Sequence, residues 1–221
     1  MAGVRSGVGA AGLTAALVVG LLVGCSAHAE DSEKHERRIG EAAADREEYV
    51  GELVVFDAKQ IALGELALEQ SKDPQVREFA KKLVADHRKH LKDLEAWAEQ
   101  KRIEVAAVDL STQSEQGTGG SGSAGVQEGY EERMVGVDKR LDEAIVDAKE
   151  DLKELREKES GDFDKAFLSR VVDDQKDGKD LVGDGLDTYR ADASFGLLLN
   201  HTYNQIDQTL ERGKQVEKVV D

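Results

Sequence analysis

At 221 residues and a formal net charge of −16, the chain has the length of one domain with tails, and its sign opposes binding to phosphate backbones, which leaves nucleic acid out as a partner. A single cysteine excludes an intramolecular disulfide. One proline and 5% aromatic residues point away from sheets, whose strands favour aromatic and β-branched side chains, and toward an all-α fold.

Residues 1–24 read as a signal peptide. Arg5 supplies the only charge, and residues 10–24 (AAGLTAALVVGLLVG) form an apolar run shorter than the ~20 residues a membrane-spanning helix needs. The run ends in Leu22, Val23, Gly24 and Cys25. This resembles the bacterial lipobox, whose cysteine is diacylated and becomes the first mature residue, so Cys25 is the predicted lipidation site. The solitary cysteine agrees with that reading, because the polar segment behind it (SAHAEDSEKHERR) could not bury a thiol. Membrane attachment would then come from the lipid on Cys25. In a cell with two membranes, Ser26 after the cysteine resembles the pattern of lipoproteins sent to the outer membrane, facing the periplasm.

Residues 25–45 are charged and nearly free of large apolar side chains, and are expected to form a solvated, lipidated tether that frays into the first helix. The remainder, 46–220, is expected to fold as one helical bundle domain interrupted by a Gly/Ser/Gln-rich flexible linker at 111–129. Helix one is predicted over 46–71, with Val54, Ala58, Ile61, Glu65 and Leu68 on one stripe. Asp73 is a good N-cap and Pro74 suits the first turn of helix two, whose stripe runs Val76, Phe79, Ala80, Leu83, His87, His90, Leu91, Leu94 and Ala98. Residues 130–158 are a charged helical segment with a thin apolar face at Leu141, Ile145, Ala148 and Leu152, suited to the rim of a bundle. Helix three starts near Asp162 with Phe163, Phe167, Val171, Asp174 and Gly178 on one side, and helix four, 193–219, carries Phe195, Leu199, Thr202, Ile206 and Leu210. Four amphipathic helices with short joints inside each pair predict a four-helix bundle with a long crossover between pairs. A short internal repeat supports the pairing: Phe79, Leu83, Asp86 and His87 match Phe167, Val171, Asp174 and Gln175 at one offset.

The stretches GELALEQSKDPQVREFAKKLVADH, GDFDKAFLSRVVDDQ and FGLLLNH resemble the ferritin-like bacterial family DUF4142, over about residues 50–215. The most specific element is the run from Phe79 to His87. The resemblance implies a ferritin-like bundle in a typically exported protein, and names no activity. Where the family pattern tends to carry Asp-His in the third helix, this chain has Asp174-Gln175, and it has Gly196 where the fourth-helix segment usually has a proline.

Glu65, His87, His90 and Asp174 fall near the middle of apolar stripes, where a polar group left without a partner costs roughly 1–3 kcal/mol. The favoured reading is a metal-free buried hydrogen-bond network of these four residues that fixes helix register. The alternative is a Zn or Cu site made by Glu65, His87 and His90, since i, i+3 histidines share one side of a helix. A di-iron centre would want about four carboxylates, and the central positions offer fewer. Trp97 is read as packing at a helix edge, and His28 and His35 as solvated. No phosphate-binding Gly-rich loop, Cys-x-x-Cys or His-Glu-x-x-His occurs, so no motif speaks for catalysis and no catalytic residue or cofactor is expected. Two functions stay open: a non-enzymatic, lipid-anchored structural or interaction module of the cell envelope, with its protein partner unidentified, or an envelope metal-binding or metal-dependent redox protein using Zn, Cu or Fe.

Overall fold

The computed structural model describes residues 23–103, 108, 110 and 124–220, the side chains of residues 23–30, 124 and 160 aside. Residues 1–22 of the expected signal peptide lie outside that set, as do residues 111–123 of the expected linker. The described chain forms six helices: α1 Val23–Gln70, α2 Pro74–Lys101, α3 Ala124–Met134, α4 Val137–Arg156, α5 Ser160–Thr188 and α6 Ala193–Val220.

The local signals that start and stop these helices are explicit. Asp73 caps α2 by accepting from the amides of Gln75 and Val76 at 2.7 and 3.1 Å, and Arg102 ends it in the left-handed conformation, φ 59°. Asp192 caps α6, accepting from the amides of Ser194 and Phe195. Gly136, at φ +103°, divides the expected 130–158 segment into α3 and α4, a backbone turn that a side chain would strain.

The C-terminal half of α1 together with α2, α5 and α6 makes the four-helix bundle. Gln60, Phe56 and Tyr49 of α1 lie against Asp174, Gly178 and Gly185 of α5, so these two run antiparallel. Phe79 and Lys101 of α2 meet Gly213 of α6 and its cap Asp192, which makes that pair antiparallel too. With short turns joining α1 to α2 and α5 to α6, the order is up, down, down, up, which requires one long crossover as in ferritin-like folds. The crossover includes α3 and α4, which lie along α1 and parallel to it: Gly129 meets Arg37, Leu141 meets Gly51, and Asp151 meets Lys59. The rim position expected for 130–158 is therefore observed, with Ala148 and Leu152 buried.

Two expectations need correction. Residues 26–45, read as a solvated tether, continue α1 without a break, and Gly40 and Ala44 are buried. Their partner is α3, which begins inside the segment 111–129 whose composition predicts a linker. The two helices approach at glycines: a Cβ on Gly40 would overlap the Val126 carbonyl, and one on Gly129 the Arg37 carbonyl. Composition alone read both segments as too polar to fold; each supplies the surface that orders the other.

The bundle interior divides into two hydrophobic clusters. One surrounds Leu63, Leu66, Phe79, Phe163, Phe167 and Val216. The other surrounds Val50, Leu53, Trp97, Phe195, Leu199 and Ile206, with Trp97 stacked on Phe195 at 3.9 Å between centroids. Between them the facing side chains are polar.

Candidate functional site: a polar waist between two cores

The waist is built from Asp57 and Gln60 of α1, His87 and His90 of α2, and Asp174 and Gln175 of α5, all buried. Asp57, 0% exposed, is its centre. His87 Nδ1 donates to one carboxylate oxygen and His90 Nδ1 to the other, both at 2.7 Å. The i, i+3 spacing puts the two rings on one side of α2, and a single carboxylate from α1 takes a bond from each. Phe56 covers His87 edge-on with centroids 5.3 Å apart. Phe56 itself fits because Gly178 faces it, where any Cβ would collide with the ring.

A second string of bonds crosses from α1 to α5. Gln175 Nε2 donates to His87 Nε2 at 3.1 Å and to Gln60 Oε1 at 3.0 Å, and Gln60 Nε2 donates to Asp174 Oδ2 at 2.9 Å. Lys59 closes the string at the bundle edge, donating to Asp174 Oδ1 at 2.8 Å and pairing with Asp151 of α4 at 2.7 Å. Arg170 holds the other Asp151 oxygen at 2.8 Å.

The string has a direction. A carboxylate only accepts, so Asp174 requires the amide nitrogen of Gln60 to face it, which turns the Gln60 oxygen toward Gln175. Gln175 must then present its nitrogen to that oxygen, and the same nitrogen faces His87 Nε2. His87 Nε2 is therefore an acceptor and its proton sits on Nδ1, where Asp57 needs a donor. An ion pair at the bundle edge thus selects the tautomer of a buried ring. His90 is not constrained in this way, for among the described residues its Nε2 is buried without a hydrogen-bond partner, as is Gln175 Oε1.

Electrostatics follow burial and pairing. Burial pushes the Asp57 carboxyl up, but attraction to His90 and the two ring N–H bonds outweigh it and hold the group below its usual 3.8. Asp174 shows the opposite balance: burial dominates and raises it above 3.8 in spite of Lys59 and Gln60. Burial lowers Lys59, yet its bonds to Asp151 and Asp174 prevail and leave it above 10.5.

Of the four residues predicted for the network, His87, His90 and Asp174 are in it, and Glu65 is not. Its side chain is 46% exposed and paired with Arg88 on the outside of the α1–α2 face. The three candidate metal ligands Glu65, His87 and His90 are therefore not brought together, because Glu65 lies on the wrong side of α1. Among the described residues, no group of three or more His, Cys, Asp or Glu side chains is arranged to hold a metal ion. Asp57 and Gln60 were missed. The signal for them was the series Val50, Leu53, Val54, Asp57, Gln60, Gly64 and Ala67, which lines the buried face of α1. Cys25 lies in the first turn of α1, and its side chain is outside the described residues.

The internal repeat is visible as contact. Phe79 and Phe167 meet edge-on at 6.1 Å, and His87 and Gln175, related by the same offset, hydrogen-bond to each other. Corresponding residues of α2 and α5 thus meet on the bundle axis. No curated protein and no solved structure matches the chain. A family profile described as a domain of unknown function, DUF4142, matches residues 32–216, and the chain belongs to that family.

Proposed function

We propose that the protein is a non-enzymatic, lipid-anchored module of the cell envelope whose bundle serves as a structural or interaction element. One observation carries the reading of the bundle: all four carboxylate oxygens of Asp57 and Asp174 are held by side chains of the bundle itself. Both buried carboxylates are thereby engaged in joining α1, α2 and α5. The apolar run ending at Cys25 supports the anchor. Replacing Cys25 with serine is expected to abolish acylation and release the protein from the membrane fraction or leave an uncleaved precursor; a mass-shifted, membrane-bound Cys25→Ser product would end the lipoprotein reading.

The competing reading, an envelope metal-binding or metal-dependent redox protein, is favoured by His90 Nε2, a buried nitrogen without a partner among the described residues. Metal analysis after dialysis, with melting curves with and without chelator, separates the two. No stoichiometric metal and no chelator effect is expected. Retained metal together with a lower Tm after chelation, both abolished by His87→Leu, would replace the structural reading with the metalloprotein.

A further inference from the structure

α1 does not begin with the bundle. The cluster around Trp97 and Phe195 reaches α1 at Tyr49, whereas the helix starts at Val23, so more than twenty residues of regular helix precede the packed core. An isolated charged helix of that length is marginal in water. Here it has a partner, α3, applied lengthwise through the glycine approach at Gly40 and Gly129. Ion pairs of Arg37 with Glu132 and of Arg133 with Asp45 flank the approach. The bond from Tyr130 Oη to Glu47 at 2.8 Å and the pair Arg140–Glu48 carry the contact on to the edge of the bundle. Both helices run in one direction, and α4 continues the same line beside the bundle.

We propose that residues 25–48, braced by α3, form a rigid stalk that holds the bundle at a fixed distance and orientation from acylated Cys25. The membrane part of this proposal rests on the anchor reading above. From Cys25 to Tyr49 a continuous helix rises about 36 Å, whereas a flexible segment of that length would average roughly 27 Å with a broad spread and would let the bundle touch the bilayer in any orientation. A stalk instead presents the Trp97–Phe195 end of the bundle toward the membrane and the α1–α2 turn away from it.

Acylated Cys25 has no thiol to modify, so two introduced cysteines can be spin-labelled in the full mature chain. Ser32→Cys and Glu69→Cys lie on α1 on either side of the bundle edge and would be about 55 Å apart in one unbroken helix. Pulsed dipolar spectroscopy in vesicles is expected to give one narrow distribution near that distance. Gly129→Val, whose side chain cannot coexist with the Arg37 carbonyl, is expected to broaden it toward shorter distances while the near-ultraviolet signal of the Trp97–Phe195 stack persists. A broad distribution in the parent protein overturns the stalk, and a narrow one unchanged by Gly129→Val overturns α3 as its brace. A third label on Cys25, detected by mass, would instead show that the anchor reading had failed, and with it the membrane stand-off.

Discussion

Asp57 is the most informative residue to perturb, because it serves two donors at once and has no solvent to fall back on. Asp57→Leu leaves the Nδ1 donors of His87 and His90 buried and unpaired, and breaking a buried pair from one side costs about 3–5 kcal/mol. Against a total stability of about 5–15 kcal/mol, that is a large fraction and lowers Tm by about 6–20 °C. Asp57→Asn should be milder, for a reason specific to this site. The Asn carbonyl can accept from His87, whose tautomer is held by Gln175, while its amide donates to Nδ1 of His90. His90 can move its proton to Nε2, which has no partner among the described residues. Only one ring needs to change, and about 1–2 kcal/mol is expected. Urea unfolding at pH 7 measures both variants, and nitrogen chemical shifts of the two imidazoles report the tautomers. Equal destabilisation by Leu and Asn, or a His90 tautomer unmoved in Asp57→Asn, would refute the directional network.

Glu65→Ala should change stability by less than about 1 kcal/mol, as expected for an exposed pair, and should leave metal content and chelator response as in the parent; a loss of 3 kcal/mol would return Glu65 to the core. Acid titration tests the signs of the carboxyl shifts. Asp57 lies below its ordinary value, so its contribution is present above 3.8 and disappears as pH falls through the folded value. Asp174 lies above 3.8, so its contribution is greatest in acid and is lost as pH rises through the folded value. Asp57→Asn is therefore expected to flatten the acid limb of the stability curve, which unfolding at successive pH values would show; an unchanged limb contradicts the assignment. Finally, Leu110 packs with the Leu66 cluster while Gly125 lies against Glu33 and Glu36, levels about 45 Å apart along α1. The intervening chain can reach about 50 Å. Deleting ten residues between 111 and 123 should release α3, seen as rapid amide exchange in residues 31–45, and continued protection there would refute the span.

The helices were legible wherever local chemistry decides them. Asp73-Pro74 marked the start of α2, and the spacing of Phe163, Phe167 and Val171, or of Phe195, Leu199 and Ile206, marked the buried faces of α5 and α6. On α1 the stripe through Ala58, Ile61, Glu65 and Leu68 lies one position, about 100°, from the buried series through Asp57, Gln60 and Gly64. An apolarity criterion sends Asp57 and Gln60 outward, although their partners lie thirty or more residues away on α2 and α5. The same non-locality hid the N-terminal part of α1: nothing in residues 26–45 announces order, because what orders them is a glycine helix beginning at residue 124. His87 and His90 were found because their own element placed them; the residue that binds them both was not, because it looks like surface until its neighbours are known.

The one-way string from Lys59 to His87 has a further consequence for how substitutions in this chain should be read. Positions 59, 60, 174 and 175 spell a single word rather than four independent letters. If an acceptor replaced the donor at 175, or a donor replaced the acceptor at 174, every amide between would have to turn over and the His87 proton would change nitrogen, leaving Asp57 facing a bare lone pair. A lysine at the rim of the bundle is thus grammatically tied to a ring in its centre. A change at either end makes sense only when the whole string is read again from the other side.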